Sequence, residues 1–170
     1  RRWWVLWMLC ISVIQNSNNW ITFSVCFDET HLEYGWDKSQ VDWLTAWGPL
    51  LFIPIALFLP YMNKIFSFRV LITISNLLMC IGCVVRSFPP KKINNDQLIL
   101  ILAHIGQILN AIAAPLVYAI PQQVSAVWFP KEQRTLATSI AVSAGYAGSL
   151  ISYLTVYYIH LNQHHLLTVL

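Results

Sequence analysis

Long apolar runs separated by short polar segments make up most of this chain of 170 residues. A helix that crosses a bilayer needs roughly 20 predominantly apolar residues, and the runs have lengths of that order. The pattern predicts an all-α membrane protein in which residues 1–170 form one transmembrane bundle. Five spans are predicted, over residues 3–27, 41–62, 69–85, 97–129 and 135–160.

The polar segments between these spans are short. Residues 28–40 separate the first two spans, and a tight link over 63–68 joins the second to the third. The third is followed by a loop over 86–96, and residues 130–134 lead into the fifth. The last residues, 161–170, are expected to form a short loop and the start of a sixth span, so the chain is expected to be a fragment of a longer protein.

The composition supports the membrane assignment. Hydrophobic residues make up 57% of the chain and charged residues only 10%, whereas soluble domains average about 45–50% apolar and about 25% charged residues. This excludes a soluble enzyme domain, a disordered tail and a nucleic-acid-binding module. The four cysteines lie inside apolar runs, which argues against a secreted disulfide framework. Since no nucleophile, phosphate-loop or zinc motif appears, neither an enzyme nor a cofactor is predicted.

The basic residues predict the orientation of the chain. With the N-terminus in the cytoplasm, six of the ten basic residues and one of the seven acidic residues lie on the cytoplasmic side, as the positive-inside rule favours. The six are Arg1, Arg2, Lys64, Arg69, Lys131 and Arg134. Arg86 falls in a loop on the opposite side, which is either the cell exterior or the lumen of an organelle.

No Asp, Glu, Lys or Arg falls well inside a predicted span. Because intramembrane charges mark ion and proton pathways, a coupling group within this stretch has to be a histidine. His104 is the candidate, since histidine changes charge near neutral pH. The alternative is a neutral histidine bonded to a neighbouring helix.

The first candidate site is the run Gln15-Asn16-Ser17-Asn18-Asn19, followed by Trp20. Five consecutive polar residues cover every face of a helix, and each buried amide without a partner costs several kcal/mol in lipid. These residues are therefore expected to face a wet cavity, and the helix is expected to be loosened here because asparagine is a poor helix former. Hydrogen bonding between helices is the alternative.

The second candidate is the outer half of the second span, which carries Trp43 and Trp47-Gly48-Pro49. Trp43 fits an interfacial anchor. Trp47 lies one turn deeper and, together with Trp20, would build an aromatic wall for a cationic or flat ligand. Ordinary packing is an equal alternative for Trp47.

The third candidate is the fourth span. His104, Gln107 and Asn110 recur at intervals of three and share one helical face. A polar stripe on an apolar helix is expected to face the bundle interior or a pore. Tyr118 follows further along the same span.

The link between the second and third spans has the position, length and basic character of the signature loop of the major facilitator superfamily, usually written G-x-x-x-D-[RK]-x-G-[RK]. Lys64 and Arg69 are retained, whereas Asn63 replaces the acid and Ser67 replaces the glycine. In that superfamily the loop gates the closed state. The resemblance therefore implies a gating role for Asn63, Lys64 and Arg69 without the acid's charge relay.

Several segments in order resemble solute carrier family 49, the feline leukaemia virus subgroup C receptor-related transporters. Two of them, Trp47-Gly48-Pro49 and residues 109–115, look closest to the disrupted-in-renal-carcinoma protein 2 branch. The other segments that carry the resemblance are Arg1-Arg2-Trp3, Trp20, Asp42-Trp43-Leu44, Gly106-Gln107, Pro121 and residues 127–135.

This resemblance implies a twelve-helix transporter made of two halves, with this chain as the N-terminal half and the C-terminal half as its missing partner. Family members are linked to choline and ethanolamine, to haem, and to pyridoxine in the lysosomal branch. In the choline carriers a tryptophan of the first span lines the site, and Trp20 matches it. A glutamine of the fourth span also contributes there, but Ala114 stands at the matching position, which favours the renal-carcinoma branch.

We therefore expect a transporter of a small organic solute in the plasma membrane or the lysosomal membrane, with lipid and solute but no nucleic acid as partners. The rival class is a membrane receptor or assembly subunit that transports nothing. The residues expected to bind the solute are Asn16, Asn19, Trp20, Trp47, Gln107, Asn110 and Tyr118.

Overall fold

The computed structural model describes residues 1–87 and 96–169, and the side chains of these residues other than Glu29, Glu33, Asp96 and 159–169. The described part of the chain is helical throughout, apart from short turns. The helices are α1 (Arg2–Val25), α2 (Phe27–Tyr34), α3 (Lys38–Ile65), α4 (Phe68–Ser87), α5 (Asp96–Trp128) and α6 (Arg134–Val169), with a single 3₁₀ turn over Lys131–Gln133. The predicted all-α fold is confirmed.

Among the described residues, four segments are long and apolar enough to cross a membrane, namely Lys38–Ile65, Phe68–Ser87, Gln97–Trp128 and Lys131–Tyr158. Helix α1 has the length of a span but is not among the four. Its middle turns carry the consecutive polar residues 15–19, which lower its hydropathy. In the bundle α1 packs mainly against α6 and α5, while α4 packs along α5.

The predicted loosening of the first helix is wrong. Helix α1 runs without interruption from Arg2 to Val25, through the whole polar run. The side chains of residues 15–18 hydrogen-bond to α4, α5 and α6, as described below, so they do not compete for the backbone of their own helix.

The ends of the predicted spans also differ from the observed helices. The polar segment 28–40 contains all of α2 except its first residue, and the helix is capped by Gly35 in the left-handed conformation with φ 67°. At the other end of the chain a short loop is predicted within 161–170, but α6 continues to Val169. No glycine or proline follows Gly148 in the sequence, so nothing in this stretch interrupts a helix.

Small residues bring the helices close together. Ala137, Ala141 and Ala144 of α6 are buried against α1. A Cβ on Gly148 would collide with the backbone carbonyl of Ile14, so the two helices touch backbone to backbone here. Close approach of this kind depends on small residues, as in other membrane bundles.

A larger side chain at Gly148 should therefore loosen the contact between α1 and α6. We expect Gly148→Val to destabilise the protein by about 1–3 kcal/mol, the usual cost of overpacking. Thermal unfolding of detergent-solubilised protein measures the change. The adjacent Ala147 is exposed, so Ala147→Val makes a matched control that should leave the midpoint unchanged. Equal midpoints for the two variants would contradict the proposed contact.

Candidate functional site

A cavity of about 370 Å³ lies between α1, α3 and α5. This volume is within the range of small-molecule pockets, about 300–1,000 Å³. The lining is largely apolar, and none of the described residues that line it is charged. The lining residues are Asn16, Trp20, Gly48, Pro49, Phe52, Ile53, Asn110, Ala111, Ala114 and Tyr118.

Two buried asparagines form the polar part of the cavity wall. The amide nitrogen of Asn16 donates to the side-chain oxygen of Asn110 at 3.2 Å and to its backbone carbonyl at 3.3 Å. It also lies 3.5 Å from the sulfur of Met79. The Asn110 amide returns a bond to the Asn16 carbonyl at 3.4 Å. This exchange ties α1 to α5 and leaves the Asn16 side-chain oxygen without a donor among the described groups.

Trp20 closes one side of the cavity, and its indole is fixed on α3. The indole Nε1 donates to the backbone carbonyl of Thr45 at 3.1 Å. In an α-helix that carbonyl would accept from the amide four residues later, but Pro49 has no N–H to give. Gly48 makes room for the ring, since a Cβ there would lie 2.5 Å from Trp20 Nε1. The Thr45 carbonyl, Gly48 and Pro49 thus form a seat for Trp20.

Tyr118 lies further along the cavity wall on α5. Its hydroxyl is 2.7 Å from the hydroxyl of Ser17 on α1. Gly145 of α6 packs close to both hydroxyls, because a Cβ there would lie 3.2 Å from each. The tyrosine hydroxyl is therefore held at the junction of three helices.

Gln107 is almost fully buried, with 1% of its surface exposed, and it is not among the residues that line the cavity. Its amide nitrogen donates to the backbone carbonyl of Trp20 at 2.9 Å. Its oxygen accepts from Nη1 of Arg86 at 3.0 Å. Gln107 thus supports α1 from outside the cavity.

Asn19 also lies outside the cavity lining. Its side-chain oxygen accepts from Gln15 at 3.1 Å, and its buried amide nitrogen has no hydrogen-bond partner among the described residues. Gln15 in turn approaches the sulfur of Cys83 on α4 at 3.9 Å. This side of α1 faces α4.

Trp47 and His104 bond to each other instead of facing the cavity. Trp47 Nε1 donates to His104 Nδ1 at 2.9 Å, and the two rings meet edge to face. Because an indole N–H can only donate, His104 Nδ1 is the acceptor of this bond, which matches the neutral tautomer with the proton on Nε2. This is the neutral, helix-bridging arrangement given above as the alternative to proton coupling.

The structure therefore brings together four of the seven residues that the sequence predicts to bind solute. These four are Asn16, Trp20, Asn110 and Tyr118. Asn19, Gln107 and Trp47 face neighbouring helices. The aromatic wall predicted from Trp20 and Trp47 does not form, because Trp47 packs on His104.

Sequence reasoning missed Phe52 and Ile53, which line the cavity, and Arg86, which lies outside the lining. Phe52 and Ile53 line it one turn after Gly48-Pro49, and helical spacing from that motif would have indicated both. Arg86 is assigned to a loop by the sequence but lies in the last turn of α4. There it reaches α1 and α5, and no sequence motif marks this role.

The residues of the predicted gating loop lie at the junction of two helices. Asn63 and Lys64 belong to the last turns of α3, and Arg69 belongs to the first turn of α4. The side chains of Lys64 and Arg69 are exposed. Their gating role stays a prediction.

The amino-acid sequence was compared with known protein families and with known proteins. The sequence profile of the Major Facilitator Superfamily matches residues 5–163. Over 154 residues the chain is 29% identical to the solute carrier family 49 member 4 homolog of Xenopus tropicalis, covering 91% of this chain and 33% of that protein. Over 155 residues it is 28% identical to the solute carrier family 49 member A3 of the same organism, covering 89% and 32%.

A third relative is the choline/ethanolamine transporter FLVCR2 of Homo sapiens. It is 25% identical over 156 residues, which cover 91% of this chain and 28% of that protein. The chain thus spans about a third of the length of the curated relatives it matches.

The contact between Trp20 and Gly48 predicts that Gly48→Ala destabilises the protein, although alanine is the better helix former. By helix propensity alone, Gly48→Ala would stabilise α3 by about 0.8–1.0 kcal/mol. The clash with Trp20 should reverse this, so we expect a net destabilisation of about 1 kcal/mol. A double-mutant cycle measured by thermal unfolding tests the cause. In a Trp20→Phe background the smaller ring should remove the clash, and Gly48→Ala should then be neutral or stabilising. An identical effect of Gly48→Ala in both backgrounds would contradict this seat.

Proposed function

Because this chain belongs to the Major Facilitator Superfamily, we propose that it forms one wall of the binding cavity of a membrane transporter for a small organic solute. Its helices form one half-bundle of that fold. The relatives named above span about three times its length. In transporters of this kind the site lies between two such repeats and is exposed alternately to each side. The rest of the longer protein would supply the opposite wall.

The observation that carries the proposal is the cavity between α1, α3 and α5. Asn16 is 2% exposed and Asn110 is 2% exposed, yet both border this space. Placing amides beside an opening at membrane depth is costly unless the opening holds water or a polar ligand. The free side-chain oxygen of Asn16 can accept a hydrogen bond from such a ligand.

The lining also limits the chemistry of the solute. Described residues of this wall carry no charge, so they offer no ion-pair partner to a charged solute. The aromatic faces of Trp20 and Phe52 suit a flat group or an organic cation, which an indole ring attracts through its π-electrons. Choline and ethanolamine, named for one relative, are therefore proposed as test solutes together with pyridoxine and haem.

The same cavity favours transport over the rival reading of a receptor or an assembly subunit. A receptor or an assembly subunit requires only a packed bundle, with its amides bonded between helices. The amides here are bonded between helices and border an open space as well.

We further propose a cytoplasmic N-terminus, and the plasma membrane or the lysosomal membrane as the location.

Replacement of Trp20 tests the proposed function. In the complete protein that contains this chain, Trp20→Ala should reduce uptake of the transported solute about tenfold, because the loss of an aromatic contact to the solute, from a ring that is 39% exposed here, costs about 1–2 kcal/mol. Uptake of radiolabelled choline, ethanolamine, pyridoxine and haem would be measured beside membrane abundance. Trp7→Ala is the matched control, since Trp7 lies on the same helix and is 61% exposed. Unchanged uptake in Trp20→Ala would remove Trp20 from the proposed site.

The bond between Trp47 and His104 predicts that His104 is not a proton carrier. His104→Gln keeps a side-chain acceptor for the indole N–H but cannot be protonated near neutral pH. We expect the variant to retain the pH dependence of uptake shown by the unmodified protein. Rates measured between pH 5 and pH 8, around the unperturbed histidine pKa of about 6.5, decide the question. A flat profile in the variant alone would instead identify His104 as the coupling group.

A further inference from the structure

We propose that Arg86 is a positioning residue for the cavity tryptophan, Trp20, and that it acts through Gln107. The inference rests on the proposed function of the cavity as a solute site. Arg86 itself lies outside the residues that line the cavity, so its influence on a solute would pass through α1.

Arg86 reaches from α4 to the backbone of α1. Its Nη1 donates to the carbonyl of Asn19 at 3.0 Å and to the side-chain oxygen of Gln107 at 3.0 Å. Its Nη2 approaches the sulfur of Cys83 at 3.6 Å. The guanidinium carbon also lies 5.7 Å from the centre of the Phe23 ring. One cation thus contacts α1, its own helix and α5.

Gln107 bridges Arg86 and the backbone of Trp20 through its two side-chain hydrogen bonds. While its oxygen accepts from Arg86, its amide nitrogen donates to the Trp20 carbonyl at 2.9 Å. Two consecutive carbonyls of α1, those of residues 19 and 20, are therefore held from outside the helix. A carboxamide whose oxygen is engaged by a cation becomes a better donor through its nitrogen, because linked hydrogen bonds polarise one another.

The packing between α4 and α5 is adapted to the arginine side chain. Gly106 of α5 leaves space for its stem, since a Cβ there would collide with Cγ of Arg86. Gly82 and Gly106 also bring the two backbones together, with a Cβ at Gly82 lying 2.8 Å from the Gly106 carbonyl. The stem is thus confined between two helices, which directs the guanidinium toward α1.

No carboxylate among the described side chains pairs with this guanidinium; its partners are two oxygens of neutral groups and a sulfur. Hydrogen bonds with one charged member are roughly twice as strong as neutral ones. Here the charged member is Arg86, and its bonds go to the backbone carbonyl of Asn19 and to the side chain of Gln107. Both groups adjoin the turn of α1 that bears Trp20.

Trp20 is therefore held at both ends. Gln107 and Arg86 fix its backbone, and the carbonyl of Thr45, left without a helical donor by Pro49, fixes its indole. With both ends fixed, the indole presents a defined face to the cavity. Loss of the backbone anchor should let the ring tilt on its remaining bond.

The test observes the environment of the Trp20 indole by fluorine NMR. The complete protein is labelled with 5-fluorotryptophan, and the fluorine resonance of Trp20 is identified as the one lost in Trp20→Phe. We expect Arg86→Ala to shift or broaden this resonance, and Arg86→Lys to restore it in part, because an ammonium can still donate to both oxygens. Gln107→Met, which keeps the side-chain volume but removes both bonds, should displace the same resonance.

Arg134→Ala is the matched control. The Arg134 guanidinium also donates to backbone carbonyls, those of Phe129 at 3.2 Å and Ala126 at 2.9 Å, and neither of these bonds involves α1 or Gln107. An unchanged Trp20 resonance in folded Arg86→Ala would overturn the proposal. An equal displacement in Arg134→Ala would overturn it too, since the effect would then be general loosening. If Arg86→Ala does not fold, Gln107→Met decides by the same criterion.

An uptake measurement separates this proposal from the proposed function. With radiolabelled choline as the probe, we expect Arg86→Ala to raise KM about tenfold, or about 1.4 kcal/mol, with little change in the maximal rate. Absence of uptake of every test solute by the unmodified protein would count against the proposed function, whereas the fluorine resonance would still decide the role of Arg86. A displaced resonance together with an unchanged KM would show that Trp20 is positioned by Arg86 but does not bind the probe, which overturns the link to the solute.

Discussion

A bilayer offers no hydrogen-bond partner to a polar side chain, and this constraint governs how the polar residues of α1 are placed. Four successive residues of α1, 15–18, bond to three different helices. Asn16 and Ser17 reach α5, Asn18 accepts from Ser152 of α6 at 2.6 Å, and Gln15 turns toward α4. Because each side chain finds its partner on a neighbour, the backbone of α1 stays helical through a run of poor helix formers.

The same constraint explains why glycine and proline occur where they do in this bundle. Gly48, Gly106 and Gly148 let a ring, an arginine stem and a backbone carbonyl approach a neighbouring helix. Pro49 leaves the Thr45 carbonyl without a helical donor, and the indole of Trp20 supplies one. Residues that weaken isolated helices are accommodated here because each glycine admits a group of a neighbouring helix, and because the neighbouring helix supplies the donor that Pro49 lacks.

The cavity follows from this arrangement, and it combines the two roles considered for the amides of α1. Asn16 and Asn110 bond to each other across the helix contact and also border the cavity. The structural role and the proposed binding role are therefore carried by the same side chains. Trp20 adds an aromatic face whose orientation is set by groups on α3, α4 and α5, so mutations far from the cavity lining should still affect it.

The sequence by itself determined the class of the protein, because the length and apolarity of the runs leave helices across a bilayer as the fold. It also identified Asn16, Trp20, Asn110 and Tyr118 as polar or aromatic residues within apolar spans and as candidates for binding the solute. Only the tertiary structure decided which neighbour each of them meets. Helical spacing places Gln107 beside Asn110, yet Asn110 faces the cavity and Gln107 faces Arg86. That choice depends on how three helices cross, and contacts between residues 86, 107 and 20 are too distant along the chain for a local pattern to reveal.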